Sequence, residues 1–131
     1  MQKIIEEIRK AIERVDYGEC IEIFDLGTLF EEYEIDNDND YINLIHRDIP
    51  EAIRDILSKI GIENIEIYHL KDDVQAYEYI VTNGRLTFFI DIDKECCEEN
   101  DETVICNIYI PKIRICKGIP SKILLVYYHS V

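Results

Sequence analysis

The 131-residue chain has no tryptophan, one methionine, three prolines and five glycines, and its last 29 residues, Thr103 to Val131, hold no acid. Each shortage excludes something. The longest uncharged apolar run is Ile123 to Tyr128, far below the roughly 20 residues a helix needs to cross a bilayer, so no membrane partner is expected. The glycines stand at 18, 27, 61, 84 and 118 and never fall at the G-x-G-x-x-G or Walker spacing that cradles phosphates. No two of the cysteines at 20, 96, 97, 106 and 116 have the C-x-x-C spacing by which one turn clasps zinc. No metal or other cofactor is therefore expected. Met1 to Ala11 carries Glu6 and Glu7 in an alternating apolar and charged pattern that a secretory signal does not tolerate. The expectation is a cytoplasmic protein with reduced thiols, a disulfide arising only in a hot or oxidising setting.

What is present is a foldable core and a large negative charge. Apolar residues make up 47% and charged residues 32%, too much hydrophobe for a disordered chain. A chain of this length buries about two thirds of its unfolded surface, so a single domain over 1–131 is expected. Acids outnumber bases by 28 to 14. Most of the excess lies in two segments. Residues 31–40 hold Glu31, Glu32, Glu34, Asp36, Asp38 and Asp40 with no base, and residues 91–102 hold Asp91, Asp93, Glu95, Glu98, Glu99, Asp101 and Glu102 against Lys94 alone. The acid-free C-terminal part carries Lys112, Arg114, Lys117 and Lys122.

The hydrophobic periods predict an α+β fold, with N-terminal helices packed on a largely antiparallel sheet of about five strands. Ile4, Ile5, Ile8, Ala11, Ile12 and Val15 recur at helical spacing, and Gly18 is the expected cap. Cys20 to Phe24 reads as a short strand, and Leu26 to Tyr33 as a helical turn or two before an acidic loop. Asp48 and Glu51 have capping-box spacing ahead of a helix that Gly61 closes. Beyond Gly61 the period becomes two, and Ile65 and Ile67 mark a strand. Asn83-Gly84 predicts a hairpin over 74–93 with a type I′ turn, in which Val81 faces Leu86 and Tyr79 faces Phe88. One hairpin face is apolar, and the other is mixed enough to suit partial exposure. Thr103 to Ile110 and Lys112 to Cys116 are strands of opposite parity on either side of Pro111. Ile123 to Tyr128, apolar at both parities, is expected as a central strand.

Asp36, Asp38 and Asp40 have the D-x-D-x-D opening of a calcium loop, but Tyr41 stands where the turn needs glycine and Arg47 where a bidentate glutamate is needed. A solvated acidic loop is expected instead. Cys96 and Cys97 are expected in a loop among carboxylates, which raise a thiol's pKa and blunt its nucleophilicity. Cys106 and Cys116 read as small buried hydrophobes, and His46, His69 and His129 as structural. No catalytic residues are assigned, and the protein is not expected to be an enzyme.

The function expected first is that of a non-catalytic acidic binding or inhibitor protein. Its surface would be Glu31, Glu32, Glu34, Asp36, Asp38, Asp40, Glu95, Glu98, Glu99, Asp101 and Glu102, set against a basic protein such as a nuclease, a toxin or a nucleic-acid-binding complex. Direct nucleic-acid binding is disfavoured, because a negative protein repels phosphate. In this placement of charge the chain resembles small immunity proteins, antitoxins and the nucleic-acid mimics of viral anti-defence systems, though no motif carries the likeness. A second expectation is a small enzyme or ligand-binding domain that takes an anion on Lys112, Arg114, Lys117 and Lys122, with Arg114 as the bidentate group. The third is a structural subunit that self-associates, acidic segment to basic segment.

Overall fold

The computed structural model describes residues 2–71, 76–118 and 126–131. It is an α+β fold in which two principal helices accompany two antiparallel sheets. Helix α1 spans Gln2–Arg14 and buries Ile4, Ile5, Ile8 and Ala11, the stripe its spacing dictates. It stops four residues short of Gly18, so Gly18 is not its cap. With φ of 82°, Gly18 lies instead in the turn where the Glu19 amide donates to the Asp16 carbonyl.

Strand β1 (Cys20–Phe24) follows as expected. The segment read as a helical turn is strand β2, Thr28–Ile35. Its alternation is hidden because the strand shifts register twice between Thr28 and Tyr33, and Glu32 takes a φ of 51°. Such bulges add a residue and reset the facing pattern.

Asp48 does not open a helix. Helix α2 (Asp38–Asn43) runs through a wide turn over Leu44–Asp48 into α3 (Ile49–Ser58). In that turn the Ile49 amide reaches back to the Leu44 carbonyl, one residue further than in an α-helix, just ahead of Pro50, which has no amide to offer. The Asp48 carboxylate is occupied elsewhere, accepting from the Tyr33 hydroxyl and, at 2.8 Å, from Arg47 Nε. Gly61 does end α3. At φ of 91° it donates to Ser58 while Ile62 donates to Leu57, the paired bonds of a Schellman close.

The remaining strands are β3 (Glu66–Leu70), β4 (Tyr79–Thr82), β5 (Leu86–Ile90), β6 (Asp93–Glu98), β7 (Val104–Tyr109), β8 (Lys112–Lys117) and β9 (Tyr128–Ser130). They form two sheets rather than one of about five strands: a six-stranded sheet in the order β1-β8-β5-β4-β3-β9 and a three-stranded sheet in the order β2-β7-β6. Pro111 is where the chain leaves the small sheet for the large one. Among the described residues strand β9 is at an edge, where its one partner is β3, so the central placement is corrected. Of the expected strand, Ile123 to Leu125 lie outside the described residues.

The β4–β5 hairpin keeps the expected faces but not the expected partners. Val81 faces Phe88 and Tyr79 faces Ile90, a slip of two residues, which leaves every side chain on its predicted side. Of the turn residues only Gly84 has positive φ, at 88°. Asn83 stands outside the two-residue loop, its Oδ1 accepting from the Arg85 and Leu86 amides at 2.9 and 2.8 Å. Glycine at the first central position is the II′ pattern rather than I′. The second hairpin face is also more buried than its mixed composition suggests, for Ile80 and Thr87 are enclosed.

The core gathers Ile4 and Ile8 of α1, Ile53, Ile56 and Leu57 of α3, and Phe88, Ile90 and Ile113 of the large sheet. Each such side chain contributes about 1.5–3 kcal/mol by leaving water. The helices therefore lie on one face of the large sheet. Two disulfides join facing strands, Cys20–Cys116 across β1 and β8 and Cys96–Cys106 across β6 and β7. The expectation of reduced cysteines, with Cys96 and Cys97 in a loop, is thereby corrected: both stand on β6, and Cys97 is the free, exposed thiol.

Candidate functional site: an acidic three-stranded sheet

The small sheet brings the two acidic segments together. Strand β7 lies between β2 and β6, which carry acids from 31–35 and 93–98. One row across the sheet reads Glu34, Ile105, Cys97. In the next outward-facing row Glu95 stands opposite Asn107, whose Oδ1 accepts from the Glu32 amide at 2.9 Å. That bond holds the left-handed Glu32 in place, a conformation that otherwise costs about 1–2 kcal/mol. Glu31, Glu32, Glu34, Glu95 and Glu98 are all exposed. Burial first, then the hydrogen bond and charge of Glu95 and, less, the charge of Glu31, push the Tyr109 phenol up.

The segments meet again at the end of the sheet. The β6–β7 turn is closed by the Glu99 amide donating to the Thr103 carbonyl at 3.0 Å and by the Asn100 side chain accepting from the Glu102 and Thr103 amides. Thr103 Oγ1 then donates to Asp36 Oδ1 at 2.7 Å. This sets Glu98, Glu99, Asp101 and Glu102 beside the start of α2. There Asn37 caps the helix by accepting from the Asp40 amide, while Asp40 accepts from the Asp36 amide at 2.9 Å. Asp38 and Asp40 occupy the first helical turn, where negative charge suits the helix dipole. They belong to a helix, not to a calcium loop or a solvated acidic loop.

Among the described residues, the ion pairs use Glu6, Asp48, Asp55, Glu78, Glu22 and Asp91 as their acids. None of the eleven candidate carboxylates named from the sequence is among them. Lys94, the one base in the second acidic segment, turns to Glu78 at 2.8 Å. Among the described residues these carboxylates thus have no ion-pair partner, an arrangement suited to non-covalent attraction of cationic groups.

The basic candidates divide. Lys112 engages Glu22 at 3.5 Å and Asp91 at 4.0 Å. Arg114 and Lys117 line a cavity on the large sheet. Lys122 lies outside the described residues.

The histidines converge, which their sequence separation concealed. His46 and His69 meet edge to face at 5.5 Å, and His69 faces His129 across β3 and β9. Burial first, then the charges of His69 and His129, lower the His46 imidazole. Glu78 stands 3.8 Å from His69 Nε2. Burial pushes its carboxyl up, but the hydrogen bonds and charges of His69 and Lys94 outweigh that and hold it below the ordinary carboxylate range. Among the described residues no group of three such side chains is arranged to hold a metal ion, and no helix is long and apolar enough to cross a membrane.

One disulfide had a sequence signal: Cys96 and Cys106 are equidistant from Asp101, so any hairpin turning there sets them face to face. The Cys20–Cys116 pair, the histidine cluster and the Thr103–Asp36 bond depend on long-range pairing and had none. No protein-family model, no curated protein and no solved structure matches the chain.

Proposed function

We propose that the protein is a non-catalytic acidic binding or inhibitor protein that offers its three-stranded sheet to a basic protein partner. One observation carries the reading: β7 lies between β2 and β6, so acids far apart in sequence share one small sheet and its end. The partner is of the kind whose working face is cationic, a nuclease, a toxin or a nucleic-acid-binding complex, as in immunity, antitoxin or anti-defence pairs. Carboxylates on a rigid sheet steer such a partner, accelerating association by about 10- to 1,000-fold at low salt. Screening over about 8 Å at physiological ionic strength makes the attraction fall as salt rises.

The two disulfides favour an oxidising compartment over the cytoplasmic one expected from the sequence. Binding through surface charge works in either. The test replaces Glu98, Glu99, Asp101 and Glu102 with glutamine or asparagine. The variant should fold as the parent does and lose the partner captured from the native cell at low salt. Unchanged capture would remove these residues from the site.

A further inference from the structure

We propose a second binding site, for a small aromatic anion, in the cavity on the outer face of the six-stranded sheet. It is independent of the acidic-sheet reading, because it lies on the other sheet and carries the opposite charge. The cavity measures about 670 Å³, within the range of small-molecule sites. It opens on the side away from the helices, since its strand residues Phe89 and Arg114 alternate with the core residues Phe88, Ile90, Ile113 and Ile115.

Arg114 occupies the middle of this face, directly between Glu22 on β1 and Phe89 on β5. Glu22, although directly opposite, forms no ion pair with it. That carboxylate is engaged by Lys112 Nζ and by the Tyr77 hydroxyl, each at 3.5 Å. Lys117, three residues further along β8 at the last position of the strand, also lines the cavity, and neither base has a carboxylate partner among the described residues. Among the described residues of the lining, Glu19 is the one acid. Arg114, with Lys117 at the end of the same strand and no carboxylate paired to either among the described residues, makes this concavity complementary to an anion on a chain with a formal charge of −14. A guanidinium supplies a planar pair of donors for a carboxylate or phosphate.

The rest of the lining suits a flat ring. Phe89 and Tyr77 stand 5.6 Å apart, centroid to centroid, and Tyr128 closes the same cavity. The Cys20–Cys116 disulfide ties β1 to β8 within the lining, fixing the wall before any ligand arrives and so reducing the ordering cost of binding.

The site is tested by following backbone amide shifts of the full chain during titration with adenosine 5′-monophosphate, benzoate and uncharged adenosine. Saturable shifts centred on Thr87, Phe89, Arg114, Cys116 and Lys117 are expected with at least one of the two anions. A response to the nucleotide alone identifies phosphate as the ligand's anion, and a response to benzoate identifies carboxylate. Arg114→Gln with Lys117→Gln should weaken binding about tenfold or more, with an unchanged unfolding midpoint, and Arg114→Lys alone should lose less. Absence of saturable binding by both anions, equal binding of adenosine, or full affinity in the double variant would each overturn the proposal. Should the double variant not fold, Arg114→Lys and the adenosine comparison still decide it.

Discussion

Thr103 Oγ1 donates to Asp36 Oδ1 at 2.7 Å, joining residues 67 positions apart. This bond ties the β6–β7 turn to the entrance of α2, and with it the second acidic segment to the first. An exposed hydrogen bond contributes only about 0.5–1.5 kcal/mol net. Thr103→Val should therefore lower global stability by about 1 kcal/mol or less, while hydrogen exchange at the Glu99 and Asn100 amides accelerates markedly. Unchanged protection of those amides would show that the turn is held without Asp36.

The disulfides make a prediction about order. Cys20 and Cys116 are separated by 96 residues, and Cys96 and Cys106 by 10. Loop-closure entropy alone makes the long link worth about 4.7 kcal/mol and the short one about 2.8. Replacing the first pair by alanine should lower the denaturation midpoint more than replacing the second. Thiol titration of the unfolded, unreduced chain should find only Cys97; five reactive thiols would contradict both links.

Stability should fall in two stages as pH falls. The His46 imidazole is lowered in the folded protein from 6.5, so the unfolded chain takes up that proton first, and stability is lost as pH drops below about 6.5. The Glu78 carboxyl is lowered from 4.5, so its contribution is complete above that value and disappears as pH falls through the depressed folded value. His46→Gln should flatten the first stage and Glu78→Gln the second, read as unfolding free energy against pH. Persistence of both stages in the double variant would assign them to other groups.

The β4–β5 turn makes different demands on Asn83 and Gly84. No atom lies within 4 Å of a Cβ built on Gly84, so Gly84→Ala suffers only from the positive φ, a cost of about 1–2 kcal/mol. Asn83→Gly would be harmless in a type I′ turn. Here it removes an acceptor for two amides and should destabilise by about 1 kcal/mol. Equal or greater stability of Asn83→Gly would restore the I′ register.

Much of this architecture was legible where the signal is short-range. The stripe of α1, the Gly61 close of α3 and the opposite parities around Pro111 depend on neighbours within a few residues. Strand β2 was not legible, because its bulges break the alternation of Leu29, Phe30 and Tyr33. Nor was the division into two sheets, since pairing of β1 with β8 and of β2 with β7 joins the ends of the chain to one another. The same limit applies to the candidate site. Where the acids lie along the chain is plain from the sequence, but their meeting around β7 and at Thr103 depends on strand order.

The most direct test compares two variants of equal net charge against the parent in affinity capture from the native cell. One has Glu31, Glu34, Glu95 and Glu98 replaced by glutamine; the other has Glu13, Asp16, Asp55 and Glu63 replaced by glutamine or asparagine, exposed acids outside the small sheet and the two acidic segments. A basic protein retained at low salt and released by a salt step should bind the parent and the second variant but not the first. Equal retention by both variants would contradict the acidic sheet as the binding surface.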